Sequence, residues 1–96
     1  MTSDLKTSRR SKTVRIVGLV QGVGFRAWTE ERASALGLSG WVVNCENGDV
    51  EALFSGPSEA VAAMLSACRQ GPRHARVDRV ELLGAAAETV GPFKIR

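Results

Sequence analysis

Between residues 13 and 36 the apolar spacing of this 96-residue chain changes from two to about 3.6, and two glycines stand at the change. Thr13 to Val20 alternates, with Val14, Ile16, Gly18 and Val20 on one side and Arg15, Val17 and Leu19 on the other. That is the pattern of a strand with at least one buried face. From about Arg26 to Leu36, the positions Phe25, Thr29, Ala33 and Leu36 follow helical spacing, with Trp28 beside them and Glu30, Glu31 and Arg32 outward. Between the two runs lies Val20-Gln21-Gly22-Val23-Gly24-Phe25-Arg26. A strand that becomes a helix within so short a loop needs backbone angles that glycine reaches most easily.

The turn has a chemical corollary. Glycine-rich loops direct successive N–H groups toward one point. A helix that starts just afterwards adds its own unpaired N–H groups and the positive end of its dipole. Arg26 sets a planar, bidentate guanidinium at the rim. An anion cradle fits these residues, and so does a tight turn that binds nothing. The segment is not a Walker loop, since no Gly-Lys-Ser/Thr follows, and it lacks the third glycine of the dinucleotide fingerprint.

The following residues continue the alternation of element types. Gly37 suits a left-handed helix end. Gly40 to Cys45 reads as a second strand, Asn47-Gly48 as a hairpin turn, and Asp49 to Ser55 as the partner strand. Gly56-Pro57 opens a second helix, with proline expected at its first position. Val61, Met64, Leu65 and Cys68 form its core stripe, and Gly71-Pro72 ends it. Arg76 to Leu83 is a fourth strand, residues 84–89 a loop, and Phe93 to Arg96 a short last strand. The order β-α-β-β-α-β plus a terminal strand predicts an α+β, ferredoxin-like split βαβ sandwich. Its sheet is expected to be antiparallel with two helices on one face. Strands one and three are expected to be central neighbours.

Charge narrows the function classes. The net charge is +3, and much of the excess sits in Lys6, Arg9, Arg10 and Lys12 against Asp4. The rest of the chain is balanced, which weakens the case for a polyanion partner. Residues 1–11 are polar and aperiodic and are expected to form a disordered basic tail ahead of a single domain, 12–96. No apolar run is long enough to span a bilayer, and no apolar core follows the basic N-terminal residues as in a secretory signal, so the expected location is cytoplasmic. Cys45 and Cys68 make neither a disulfide framework nor a metal site.

Several stretches together resemble the acylphosphatase family. They are Val17-x-Gly-x-Val20-Gln21-Gly22-Val23-Gly24-Phe25-Arg26, then Leu36-Gly37-Leu38-x-Gly40-Trp41-Val42-x-Asn44, then Gly48-x-Val50-Glu51 and Gly56. Gly71-Pro72, Ala75-Arg76-Val77 and Phe93-x-Ile95-Arg96 fit as well, so the resemblance runs from about residue 13 to residue 96. It implies hydrolysis of a carboxylic–phosphoric mixed anhydride to carboxylate and inorganic phosphate. It also implies that the main chain of Gln21, Gly22, Val23, Gly24 and Phe25 holds the phosphoryl group with Arg26, and that Asn44 orients the attacking water. No metal or cofactor is expected, and the partner is a small acyl phosphate met by a monomer. Two departures stand out. Cys45 and Glu46 follow Asn44, where a polar neighbour often supports the asparagine, and Asn47-Gly48 replaces the commoner Asp-Gly.

The residues themselves leave rivals open. An RNA-binding module shares the strand order but stacks bases on sheet aromatics, which are few here. A non-catalytic phosphate or carbamoyl-phosphate binding domain needs the same loop. Outside the matched motifs, His74 reads as a loop residue, Glu51 as solvated or cross-strand paired, and Trp28 and Trp41 as core or pocket wall.

Overall fold

The structure, a computed structural model, describes residues 8–96. The elements run β1 (Arg9–Leu19), α1 (Phe25–Ala35), β2 (Ser39–Asn44), β3 (Val50–Pro57), α2 (Ser58–Gln70), β4 (Arg76–Ala85) and β5 (Lys94–Ile95). The sheet order is β4-β1-β3-β2-β5, so β1 and β3 are the expected central neighbours. Val14, Ile16, Val42, Val50, Ala52 and Phe54 turn one face of the sheet inward, to Phe25 and Ala33 of α1 and Val61, Met64 and Cys68 of α2. Leu65 packs at the margin of this core. The fold is the ferredoxin-like sandwich, with an added strand.

The sheet is mixed, not antiparallel throughout. β5 pairs with β2 in parallel, Trp41 opposite Lys94 and Val42 opposite Ile95. The cause is the strap between β4 and β5, which carries the chain from one edge of the sheet to the other. It crosses at a row of serines in register, Ser11 opposite Ser55 and Ser55 opposite Ser39. Ser11 Oγ donates to Ser55 Oγ at 2.6 Å, and Ser55 Oγ accepts the Thr89 N–H at 3.1 Å. Ser39 Oγ donates to the Gly91 carbonyl, and the Ala86 N–H donates to the Ser11 carbonyl at 3.0 Å. Phe93 then stacks on Phe54 with ring centroids 5.6 Å apart.

The same strap explains why the strand begins earlier than expected. Arg9, Arg10 and Ser11 do not belong to a disordered tail; they pair with Pro57, Gly56 and Ser55 of β3. Ser11 is buried, and Arg9 forms an ion pair with Glu88 of the strap. Sequence pattern missed this because the polar residues are satisfied by a segment some 80 positions away. The rest of the expected tail, residues 1–7, lies outside the described residues.

Two local assignments also shift. Pro57 has ψ 139 and is still extended, so it caps α2 from outside and Ser58 is the first helical residue. The hairpin loop has three residues, Glu46 to Gly48, closed by Cys45 N–H to Asp49 at 2.8 Å and Gly48 N–H to Cys45 at 3.2 Å. Gly48 takes φ 97, as a three-residue hairpin loop requires. At the end of α1, the Leu38 N–H reaches the Ala33 carbonyl and the Gly37 N–H the Ser34 carbonyl, with Gly37 left-handed at φ 74. These are the two bonds of a Schellman cap.

Candidate active site

The loop between β1 and α1 is built by its glycines. Gly22 and Gly24 take φ 77 and 79, and nothing lies within 4 Å of the place where either would carry a Cβ. Their requirement is therefore conformational, not steric. Gly24 is the residue before α1, and the Trp28 N–H bonds its carbonyl at 3.0 Å. The first N–H groups of α1 thus open at the loop, with no side chain capping them.

A cavity of about 260 Å³ opens there, lined by Val20, Gln21, Gly22, Gly24, Phe25, Arg26, Ala27, Asn44 and Ile95. Arg26 and Asn44, 18 positions apart in sequence, meet in it. Sequence pattern left open which loop Asn44 faces; the order of β1, β3 and β2 brings the end of β2 beside the glycine loop. Of the seven residues expected in the site, Val23 alone does not line the cavity. Its side chain packs against the core and anchors the loop from beneath. Arg26 is half-buried, and its Nη1 donates to the main-chain oxygen of Arg96 at 3.3 Å.

Two features escaped the sequence. Ile95 forms a wall of the cavity because β5 adds to β2 in parallel, a pairing that two residues cannot signal. Gln21, expected to offer only its main chain, also uses its side chain: Nε2 donates to the carbonyls of Cys45 at 2.8 Å and Asp49 at 2.9 Å. The residue after Asn44 is thus held through its backbone.

Among the described residues Arg26 is the one charged side chain in the cavity lining, and no Asp, Glu, His or Cys joins it. His74 is exposed in the turn after α2, away from the cavity. Burial, and after it the nearby Glu51, pushes the Cys45 thiol above its ordinary range, the opposite of what a nucleophile needs. Glu51 is cross-strand paired on the open face of the sheet, where Arg15 stands in register between Glu51 and Glu81 and bonds Glu51 at 2.9 Å. Trp41 also lies on that face, beneath the guanidinium of Arg96 at 4.8 Å. Phe25, Phe54 and Phe93 are buried, so among the described residues that face shows one indole, covered by Arg96, and not a row of aromatics on which bases would stack. Among the described residues no three His, Cys, Asp or Glu gather as metal ligands, and no helix is long and apolar enough to cross a membrane.

Comparison with known proteins gives this loop and strand their context. The acylphosphatase family profile matches residues 12–95. The chain belongs to the acylphosphatase family. It is 59% identical to an acylphosphatase of Azorhizobium caulinodans over 76 residues, covering 79% of this chain and 82% of that one. It is 60% identical to an acylphosphatase of Rhodospirillum rubrum over 74 residues, covering 77% and 81% of the two chains. The solved structure of an acylphosphatase from Coxiella burnetii superimposes with a TM-score of 0.87 at 31% identity, covering both chains completely. That solved acylphosphatase thus shares the fold of the described residues.

Proposed function

We propose that the protein hydrolyses acyl phosphates in the cavity between the 21–26 loop and Asn44. One observation carries this most directly. An arginine, an asparagine and a helix-opening glycine loop converge on one small cavity whose lining, among the described residues, holds no Asp, Glu, His, Cys or Lys. That donor set suits one kind of phosphoryl transfer. The transition state is loose, so positioning and charge stabilisation do most of the work. The loop N–H groups and the Arg26 fork hold the phosphoryl oxygens, and the Asn44 carboxamide orients the attacking water. An acyl phosphate expels a carboxylate whose conjugate acid has a pKa of about 4. Such a leaving group needs no general acid, and a phosphoryl oxygen takes the water's proton. An alkoxide leaving group would need the acid that this cavity lacks.

The roles of Arg26 and Asn44 are tested by how each fails. Phosphate release from benzoyl phosphate measures turnover, and inhibition by inorganic phosphate measures anion binding. Arg26→Ala weakens phosphate inhibition as well as turnover, because the fork holds phosphoryl oxygens before and during reaction. Asn44→Ala leaves phosphate inhibition nearly intact and lowers kcat by about a hundredfold, the scale of one preorganised polar group. A folded Asn44→Ala with parental kcat, or an Arg26→Ala that binds phosphate as the parent does, refutes the assignment. Monomeric action in the cytoplasm is part of the same proposal, checked by gel filtration and cell fractionation.

A further inference from the structure

The ladder between β1 and β3 stops at Ile16 opposite Val50. Beyond it the two strands part, β1 toward the glycine loop and β3 back toward the hairpin. The cavity with Arg26 and Asn44 lies in this opening. Among the described residues, one side chain bridges the loop to the hairpin by hydrogen bonds, that of Gln21. Its Nε2 spends both N–H groups on the hairpin neck, one on the Cys45 carbonyl and one on the Asp49 carbonyl. Those two residues also bond each other, Cys45 N–H to Asp49 at 2.8 Å. The amide therefore grips both strands of the hairpin at once, at the residue that follows Asn44.

We infer that Gln21 is a positioning residue, its carboxamide setting the distance between the loop that holds the phosphoryl group and the asparagine that orients water. The inference rests on the roles proposed above for the loop and Asn44. With the bridge cut, each half keeps its own structure: the glycines and α1 still shape the loop, and the hairpin still closes on itself. What is lost is their alignment. Misplacement of an attacking group by about 1 Å can cost on the order of a hundredfold in rate, whereas anion binding within the loop is local.

The test is a double-mutant cycle on benzoyl phosphate hydrolysis, with inorganic phosphate as competing ligand. Gln21→Leu keeps the bulk and removes both donors; Gln21→Met keeps the length, adds no charge and removes both donors, and serves if the leucine variant fails to fold by circular dichroism. The expected result is a fall in kcat of about tenfold to a hundredfold, with the phosphate inhibition constant within about threefold of the parent. In an Asn44→Ala background, removal of the Gln21 amide lowers kcat no further, since the group it aligns is gone. A role confined to stability would weaken phosphate binding in step with turnover, and its effects would multiply in the double variant; either result overturns the inference. So does parental kcat in both Gln21 variants while Asn44→Ala is slow. Parental kcat in Asn44→Ala itself refutes the site assignment first, and the inference falls with it.

Discussion

Replacing Gly24 with alanine separates conformational strain from steric conflict at the phosphate loop. Gly24 holds φ 79 and ψ 19, and a Cβ there meets nothing within 4 Å. A left-handed backbone costs a non-glycine residue roughly 1–2 kcal/mol. Alanine also loses less entropy on folding than glycine, which returns about 0.4–1 kcal/mol. The net loss is about 1 kcal/mol, which for a domain of this size lowers Tm by roughly 4–8 °C. Asparagine tolerates left-handed angles better, so Gly24→Asn loses less than Gly24→Ala. Thermal unfolding by circular dichroism gives the two Tm values, and inhibition by inorganic phosphate shows whether the loop keeps its shape. Phosphate inhibition is expected to stay within about threefold of the parent, because α1 and Val23 hold the loop from both sides. An unchanged Tm with lost phosphate binding would mean that the backbone flipped to relieve the strain, and would refute the reasoning. Equal losses for alanine and asparagine would refute it too.

Other outcomes follow from features already described. Gly40→Ala is expected to cost about 4 kcal/mol or more, because its Cβ would lie 1.8 Å from the Leu53 carbonyl oxygen across the β2–β3 ladder; a Tm loss as small as that of Gly24→Ala contradicts this. Ser11→Ala removes a buried hydroxyl bond to Ser55 and costs about 1 kcal/mol, read in a urea titration; no change in midpoint would show that the serine row is idle. Burial pushes the Cys68 thiol from an ordinary 9.0 up to about 12. The folded state therefore keeps a proton that the unfolded state gives up, so stability is complete below pH 9 and falls between pH 9 and 12, by up to about 1.4 kcal/mol per pH unit. Cys68→Val should flatten that alkaline decline in a pH series of unfolding curves, and an unaltered slope assigns it elsewhere. Turnover should be indifferent to EDTA, since no ligand cluster stands among the described residues; loss of activity restored by magnesium would defeat the metal-free chemistry.

Much of the architecture was legible because each segment declares itself locally. Phe25, Thr29 and Ala33 are buried at the spacing that predicted α1, and the two crossovers leave β1 and β3 one arrangement in the centre. The loop was legible for the same reason, since Gly22, Gly24 and Arg26 are consecutive parts of one turn. What stayed hidden depends on partners distant in the chain. The Ser11–Ser55–Ser39 row looks like polar filler until the strap crosses it, so Arg9 to Ser11 read as tail. Ile95 joins the cavity through a two-residue parallel pairing that carries no periodicity. The Gln21 carboxamide has nothing local to mark it, because both of its acceptors are main-chain carbonyls more than 20 positions away.

The central place of β1 has a consequence in time. Neither of its ladders is local: Ile16 pairs with Val50 on one side and with Val80, 64 positions later, on the other. Among the described residues only the β2–β3 ladder is closed by a short loop. Contacts so distant in sequence must be found before they stabilise anything, which slows folding relative to a helical protein of equal length. A ribosome adds about 5–20 residues per second, so roughly 3–13 s pass between synthesis of Ile16 and of Val80. For that interval the growing chain carries a strand whose second edge has no partner, and the basic residues Arg9, Arg10, Lys12 and Arg15 along it are its built-in deterrent to pairing with a neighbouring nascent chain.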